Sequence, residues 1–221
     1  MEKFYFKSPA TCLIAGPTSS GKTNFMFKIL ENRDSMFKDP VKRVIYCFNT
    51  YQPKFDNYTS YVQFHKGLPS KETLPDILEK DTGGEEMPHD VIIIDDLMLD
   101  MNPELVKLFT IYSHHKNITV FFLVQNLFFQ HKFMRSITLN AQYIVLFNLR
   151  RDISQVRVLS TQLFSGGDSK LFQDIYKSAT SRQYGYLLID IHPKNTYRIA
   201  LREHIFPTEV EITYTPQLDN C

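Results

Sequence analysis

The sequence predicts an α/β fold of three layers, a mostly parallel central sheet with helices on both faces. Three observations carry this. Short, continuously apolar runs at 11–15, 91–94, 118–124 and 143–147 are too brief for helices and carry no polar alternation. Helix-like segments alternate with them, the pattern of strand–helix–strand units. A glycine-rich loop also stands between the first run and the first helix.

The first run, 11–15, ends at a Gly-Pro turn and reads as a buried strand. The segment 24–30 continues as a helix with Phe25, Phe27, Ile29 and Leu30 among its apolar positions. Residues 43–48 are β-branched and aromatic, a second strand, and a short strand is expected at 61–64. Ser70 is placed to N-cap a helix to about residue 80, with Glu72 in its first turn. The stretch 81–88, DTGGEEMP, is a loop by composition. Val91 to Ile94 then form a buried strand ending at Asp95 and Asp96. Pro103 opens a helix to about 115, in which Leu105, Leu108, Phe109 and Tyr112 share a face. Strands at 118–124 and 143–147 end at Gln125 and Asn148. Helices at 153–163 and 170–179 follow, separated by a turn at 165–167. Strands at 186–191 and 196–201, turned at Pro193-Lys194-Asn195, form a hairpin, so that residues of about 184–202 close the sheet. No repeat, low-complexity tract or linker interrupts the chain, and a single domain over 1–221 is expected.

Composition narrows the functional classes. With 221 residues, a large core is possible, and the hydrophobic fraction of 43% excludes disorder. The 25 Lys+Arg stand against 24 Asp+Glu, so any nucleic-acid contact is local rather than through a global positive field. Cys12, Cys47 and Cys221 form no close pair and leave an odd count. Without a secretory leader this reads as a reducing intracellular compartment. The strongest apolar stretch, 118–129, is interrupted by Gln125 and Asn126 and falls short of the roughly 20 residues of a membrane span, so no membrane crossing is expected.

Chemistry enters at Gly16 to Thr23, GPTSSGKT, which satisfies GxxxxGK[ST] between a strand and a helix. Gly16 and Gly21 allow the loop to wrap so that backbone N–H groups face phosphate oxygens. The following helix adds its positive end. Lys22 is expected to reach the β- and γ-phosphates and Thr23 to hold Mg²⁺. The nucleotide-lining set is Gly16, Pro17, Thr18, Ser19, Ser20, Gly21, Lys22, Thr23 and Asn24, and the ligands are ATP and Mg²⁺.

Asp95 and Asp96 stand at the carboxyl end of a buried strand, where open α/β sheets place their ligands. Asp95 is assigned to the metal and Asp96 to polarising the attacking water, although Asp is shorter than the more usual Glu there. The long interval from Lys22 to Asp95 leaves room for an extra strand–helix unit, as in the additional-strand, RecA/FtsK-like class of P-loop ATPases. The strand 118–124 then lies between the phosphate-loop strand and the strand ending at Asp95. This brings Gln125 to the γ-phosphate. His114 and His115 have no Cys or carboxylate at ligand spacing, and a helix-end charge accounts for them better than a metal. The run Phe121, Phe122, Phe128, Phe129, Phe133 is mostly core; beyond Gln125 it is open to an interface or DNA-facing role.

GPTSSGKT, VIIIDDLM, the SHHKN-to-VQNLF stretch at 113–128 and the MRSITLN-to-NLRRDISQ stretch at 134–155 together resemble the FtsK–HerA superfamily of DNA-pumping ATPases. The resemblance is greatest to viral genome-packaging ATPases of poxvirus and Polinton/adintovirus type, and spans about residues 8–206. It implies a homo-oligomeric ring of five or six subunits with ATP at each interface and double-stranded DNA in the pore. It further implies capsid or portal partners and a virus-infected cell, in cytoplasm or nucleus. Such rings complete each site with an arginine from the neighbouring subunit. Arg151 is the first choice, Arg135 the second, and Arg150 is a third candidate. A tRNA prenyltransferase shares the GPTxSGKT loop but lacks the paired acids and the glutamine-ended strand. A nucleoside kinase would need an arginine-rich lid and a GTPase an NKxD-like base reader. A non-catalytic nucleotide-binding scaffold would not need the full polar set, and a HerA-like cellular DNA pump is a further alternative, beside a tRNA prenyltransferase-like or other P-loop enzyme.

Overall fold

A computed structural model of the chain describes residues 3–75, 89–149, 151–164, 167–195 and 199–215. β1 (Thr11–Ala15), β2 (Val41–Phe48), β3 (Gln63–Lys66), β4 (His89–Asp95), β5 (Ile118–Val124), β6 (Tyr143–Phe147), β7 (Tyr186–Asp190), β8 (Ala200–Glu203) and β9 (Ile212–Tyr214) form one sheet. Their order is β3-β2-β4-β5-β1-β6-β7-β8-β9. The pairings from β3 to β6 are parallel, whereas β6 to β9 pair antiparallel. The sheet is thus mostly parallel, as the unbroken apolar runs imply.

Among the described residues the helices are α1 (Lys22–Glu31), α2 (Arg33–Met36), α3 (Pro103–Lys107), α4 (Ser113–His115), α5 (Met134–Leu139), α6 (Ile153–Leu163) and α7 (Gly167–Ala179), with 3₁₀ turns at Pro53–Tyr58 and Met98–Asp100. Between α3 and α4 the chain runs through a π-helical turn, Leu108–Tyr112, so the helix expected at 103–115 is continuous but widened in its middle. Asn102 starts it by accepting the Leu105 N–H at 3.0 Å, and Pro103 occupies the first turn, where its missing N–H costs nothing.

Side chains of the central strands alternate between two cores. Leu13, Ile92, Ile94, Phe122 and Leu146 face one core, shared with α3 and α5 to α7. Cys12, Ile14, Val91, Phe121 and Val145 face the other, shared with Phe25, Met26 and Ile29 of α1. The period-two alternation of a strand thereby becomes burial on both faces, which is why these strands read as continuously apolar. On the α1 side Phe6 packs edge-on to Phe121 and Tyr143 at ring separations of 5.2 and 5.0 Å.

Differences from the sequence expectations are local. The short strand begins at Gln63 rather than 61, since Val62 is still tied to the preceding turn through its N–H to the Tyr58 carbonyl. Ser70 caps a turn, its Oγ accepting the Thr73 N–H at 3.2 Å; the rest of the helix expected to residue 80, with the 81–88 loop, lies outside the described residues. The second hairpin strand is Ala200–Glu203, later than expected, and 196–198 are outside the described residues. Strands 184–202 do not complete the sheet, because β9 pairs with β8 through Leu201↔Tyr214 and forms the edge. Cys12 and Cys47 are buried free thiols, and Cys221 lies outside the described residues, as do Arg150 and residues 165–166. No helix among the described residues is long and apolar enough to cross a membrane.

Candidate functional site: a phosphate cleft at the strand ends

β1 pairs with β5 on one side and β6 on the other, and β5 in turn pairs with β4. The registers Ala15↔Val124 and Asp95↔Leu123 bring the carboxyl ends of three neighbouring strands nearly level. The loop after β1, the Asp95-Asp96 pair and Gln125 therefore share one edge, the place where a switch in strand order opens a crevice.

The loop closes on itself. Ser20 donates its N–H to the Pro17 carbonyl at 3.2 Å, and Gly16 donates to Val124 at 3.1 Å. Gly21, at φ +104°, turns the chain into α1, and Phe25 returns an N–H to its carbonyl at 2.8 Å. A Cβ at Gly16 would meet Ser20 Oγ at 2.6 Å and Phe147 Cβ at 2.7 Å, so this position tolerates no side chain. Ser20 Oγ is buried without a hydrogen-bond partner, which leaves a polar atom for an anionic guest. Lys22 folds back over the loop, Nζ donating to the Gly16 and Pro17 carbonyls at 2.7 and 3.0 Å. Burial holds its ammonium below its ordinary pKa, against the opposing pull of Asp95 and Asp96.

Asp95 is buried, 7% exposed. Its Oδ2 accepts from Thr23 Oγ1 at 3.1 Å and from Tyr46 OH at 2.6 Å. Burial raises its pKa, and those two donors and Lys22 counter the rise. Asp96 takes a left-handed backbone, φ +58°, which Asp tolerates better than most residues and which aims it away from its neighbour. Its Oδ1 accepts from Gln125 Nε2 at 3.2 Å. The cleft so bounded has a volume of about 430 Å³ and also receives Lys54 and Gln52 from the segment after β2.

Among the described residues no three His, Cys, Asp or Glu side chains gather as a metal centre. A Mg²⁺ ion carried by phosphates does not need one, since it binds through one or two carboxylates with phosphate oxygens and waters. Thr23 and Asp95, in direct contact at the cleft, fit that role.

On the other side of Gly21 a second cavity of about 330 Å³ opens, lined by Phe25, Phe147, Arg182, Tyr184, Tyr186 and Phe206 among others. Tyr184 borders both spaces. Its backbone is left-handed, φ +61°, and its ring lies so close that a Cβ on Gly21 would meet Cδ1 at 2.9 Å.

The remaining sequence candidates lie elsewhere. Arg135 is exposed and lines a third cavity with Phe128, Phe129 and His131, while Arg151 is exposed just before α6. Neither lines the phosphate cleft of its own chain. His114 and His115 are both exposed at the end of α4. Three contributors escaped the sequence reading. Tyr46 is one, because a tyrosine inside an apolar strand reads as core. Lys54 is another, in a polar stretch without regular periodicity. The third is Gln155, whose Oε1 accepts the Leu127 N–H at 2.8 Å and whose Nε2 donates to Asp152 at 2.6 Å. It ties the Leu127 backbone to the turn at Asp152, and its place at the end of the NLRRDISQ stretch is the signal that could have found it.

Sheet, loop and cleft together define a phosphate-binding-loop α/β fold. No family model matches the sequence, and no curated protein does. Solved structures do match the fold. The genome packaging NTPase B204 from Sulfolobus turreted icosahedral virus 2, in complex with ATP-gammaS, superposes with a TM-score of 0.51 at 14% identity, over 95% of this chain and 98% of that one. The DNA-packaging ATPase B204 from Sulfolobus turreted icosahedral virus gives a TM-score of 0.53 at 12% identity, over 98% and 99%. At this level of identity the likeness establishes the fold.

Proposed function

We propose that this chain is an ATP-hydrolysing motor that translocates double-stranded DNA and packages a viral genome into a preformed capsid. The single observation that carries the reading is the convergence of Lys22, the Thr23–Asp95 contact and the Asp96–Gln125 contact on one cleft. A phosphate-binding scaffold would need the first two; the third is what hydrolysis adds.

Lys22 exchanges two carbonyl partners for phosphate oxygens, a gain because a buried ammonium prefers anionic acceptors. Thr23 and Asp95 would hold Mg²⁺, which when bound neutralises charge on the β- and γ-phosphates. Asp96 and Gln125, already in contact, together position the attacking water. The aromatic cavity beyond Gly21 receives the nucleoside, with Tyr184 available to stack on the base.

The fold likeness to the two viral packaging enzymes supports the finer assignment. On this reading the domain spans 1–221 as a three-layer, additional-strand P-loop ATPase of FtsK–HerA type, of the poxvirus or Polinton kind. It works as a homo-oligomeric ring of five or six subunits on double-stranded DNA, with capsid or portal partners. Its compartment is the reducing interior of an infected cell. Arg151 or Arg135, outside the cleft of their own subunit, serve as the arginine that a neighbour supplies in trans. A near-neutral chain fits such a ring, since each subunit needs only a few DNA-facing groups that symmetry then repeats.

Phosphate release with and without duplex DNA is the test. The expected result is DNA-stimulated turnover that Asp96→Asn lowers by about two orders of magnitude or more while nucleotide binding persists. Unchanged turnover in Asp96→Asn would overturn the hydrolytic reading, and turnover indifferent to DNA would overturn the motor.

A further inference from the structure

The cleft contains a cation that the motif does not account for. We propose that Lys54 is a second phosphate-binding cation of this site, reaching the terminal phosphate of a nucleoside triphosphate from within the same chain. The inference rests on the nucleotide reading above and adds to it a residue that senses the γ-phosphate.

Its position is built rather than incidental. Lys54 lies in the 3₁₀ turn Pro53–Tyr58, which begins on a proline and is anchored just after Lys54 by two aromatic side chains. Phe55 is fully buried and stacks on Phe64 at 4.6 Å and 13°, with Phe48 at 5.4 Å. Tyr58 stacks on Phe27 of α1 at 4.1 Å and 18°. The turn is thus clamped to β2, β3 and α1, and the backbone at residue 54 cannot drift from the cleft.

The side chain then crosses toward the phosphate loop. Nζ donates to Asn24 Oδ1 at 3.1 Å, and Asn24 directly follows the Lys22-Thr23 pair. Nζ also lies 5.2 Å from the Phe27 ring centroid. Among the residues lining this cleft, Lys22 and Lys54 are the two cations, and Asp95 and Asp96 the two anions. Lys54 lines the cleft that also holds Asp95, close enough to feel its charge, and does not line the aromatic cavity, which puts it toward the triphosphate end. Lys54 is what brings this lining to neutrality; with Lys22 alone it would be net negative before a triphosphate added several further negative charges, so the second ammonium offsets repulsion that would otherwise oppose the anion. Partial burial holds Lys54 below its ordinary pKa, with Asp95 pulling the other way, so an anionic partner would gain from its charge. One amide is a weak partner for an ammonium on a flexible stem, and exchange for phosphate costs little.

A lysine that only covers Phe27 would not discriminate a diphosphate from a triphosphate. Calorimetric titration of the full chain with ADP and with ATP-gammaS, each with Mg²⁺, separates the cases. Lys54→Met keeps the apolar stem over Phe27 and removes the charge; Lys54→Arg keeps the charge. The expected result is a loss of about tenfold or more in ATP-gammaS affinity for Lys54→Met, with ADP affinity changed less than about twofold, and substantial retention in Lys54→Arg. Equal losses for both nucleotides, or no loss for either, in a variant with the wild-type circular dichroism spectrum, would overturn the role of Lys54 alone. Wild-type chain that binds neither nucleotide would overturn the nucleotide reading and this inference with it.

Discussion

Tyr46 donates its hydroxyl to Oδ2 of Asp95 at 2.6 Å, the same oxygen that accepts from Thr23 at 3.1 Å. The tyrosine reaches this carboxylate from β2, the strand beside β4, and its ring lies nearly flat against Phe27, 5.3 Å away and tilted by 2°. Tyr46→Phe keeps the stack and removes one donor from a buried carboxylate. A hydrogen bond to a charged group is worth about 1.5–3 kcal/mol. The expected outcome is a higher Mg²⁺ concentration for half-maximal binding of a nucleotide analogue, by about tenfold, with the far-ultraviolet circular dichroism spectrum unchanged. A Mg²⁺ titration that superposes on wild type would show that Thr23 alone orients Asp95.

The same carboxylate sets stability against function. Burial raises the Asp95 pKa in the folded state, so the charged form is disfavoured by folding and the protonated form is not. Its contribution is fully present below its unfolded value of about 3.9 and is lost as pH rises through the elevated folded value. Asp95→Asn keeps an oxygen that can accept from Tyr46 and Thr23 without the buried charge. The variant is expected to unfold at a higher temperature than wild type at neutral pH in the absence of nucleotide, and that advantage shrinks as pH is lowered toward 4. It also loses Mg²⁺-dependent turnover. Scanning calorimetry at several pH values checks the first part; a variant less stable at every pH would mean that the charge is compensated by its partners.

These two residues also mark how far the sequence could be read. That Lys22, Thr23, Asp95 and Gln125 meet in one cleft is legible in the sequence, because each stands at the end of a strand or the start of a helix, where local pattern and position coincide. The placement of β5 between β1 and β4 comes instead from likeness to the additional-strand class of ATPases, and the two strand pairings show it. Tyr46 was not legible, since its partner is across the sheet and nothing in RVIYCF distinguishes a hydroxyl aimed at a carboxylate from one aimed at solvent. Lys54 was hidden by a 3₁₀ turn whose anchors, Phe55 and Tyr58, match neither a helical nor a strand period. β9 is only Ile212–Tyr214, two of its three residues exposed, and owes its strand form to the edge of β8 rather than to its own propensity.

Far from the cleft, His192 gives the fold an acid limit. It is buried beside Tyr143, and its Nδ1 accepts the Lys194 N–H at 3.1 Å. Burial, with repulsion from Lys7, Lys194 and His114, pushes its pKa down to about 4. An unfolded histidine takes its proton near pH 6.5. The stability it supplies is therefore complete above about pH 6.5 and drains away as pH falls toward 4. Asp190 nearby is raised by burial and slopes the other way, so the comparison must be between wild type and a His192 variant. His192→Asn is expected to flatten the decline, the gap between the two proteins changing by on the order of 1 kcal/mol from pH 7 to pH 5. Urea midpoints across that range measure it, and parallel curves would rule the histidine out.

The exit of β6 is held by one hydroxyl, that of Tyr176 on α7. It donates to the Phe147 carbonyl at 2.9 Å and accepts the Leu149 N–H at 2.8 Å, bridging the two backbone groups that flank Asn148. Asn148 itself donates Nδ2 to the Thr180 carbonyl at 2.9 Å, so the end of α7 and the end of β6 are joined twice. Both groups satisfied by Tyr176 are buried, and water cannot replace it. Tyr176→Phe strands a donor and an acceptor together, at a cost of about 1–3 kcal/mol. Tyr58→Phe is the contrast, because the Tyr58 hydroxyl meets Glu31 at 2.8 Å in an exposed setting where water takes over, and about 0.5 kcal/mol or less is expected. Urea denaturation of the two variants should show a lowered midpoint at unchanged slope for Tyr176→Phe and almost none for Tyr58→Phe. Because Phe147 also abuts Gly16 of the phosphate loop, Tyr176→Phe should additionally weaken nucleotide binding, whereas equal, small effects in both variants would mean that the strand end holds its shape without the bridge.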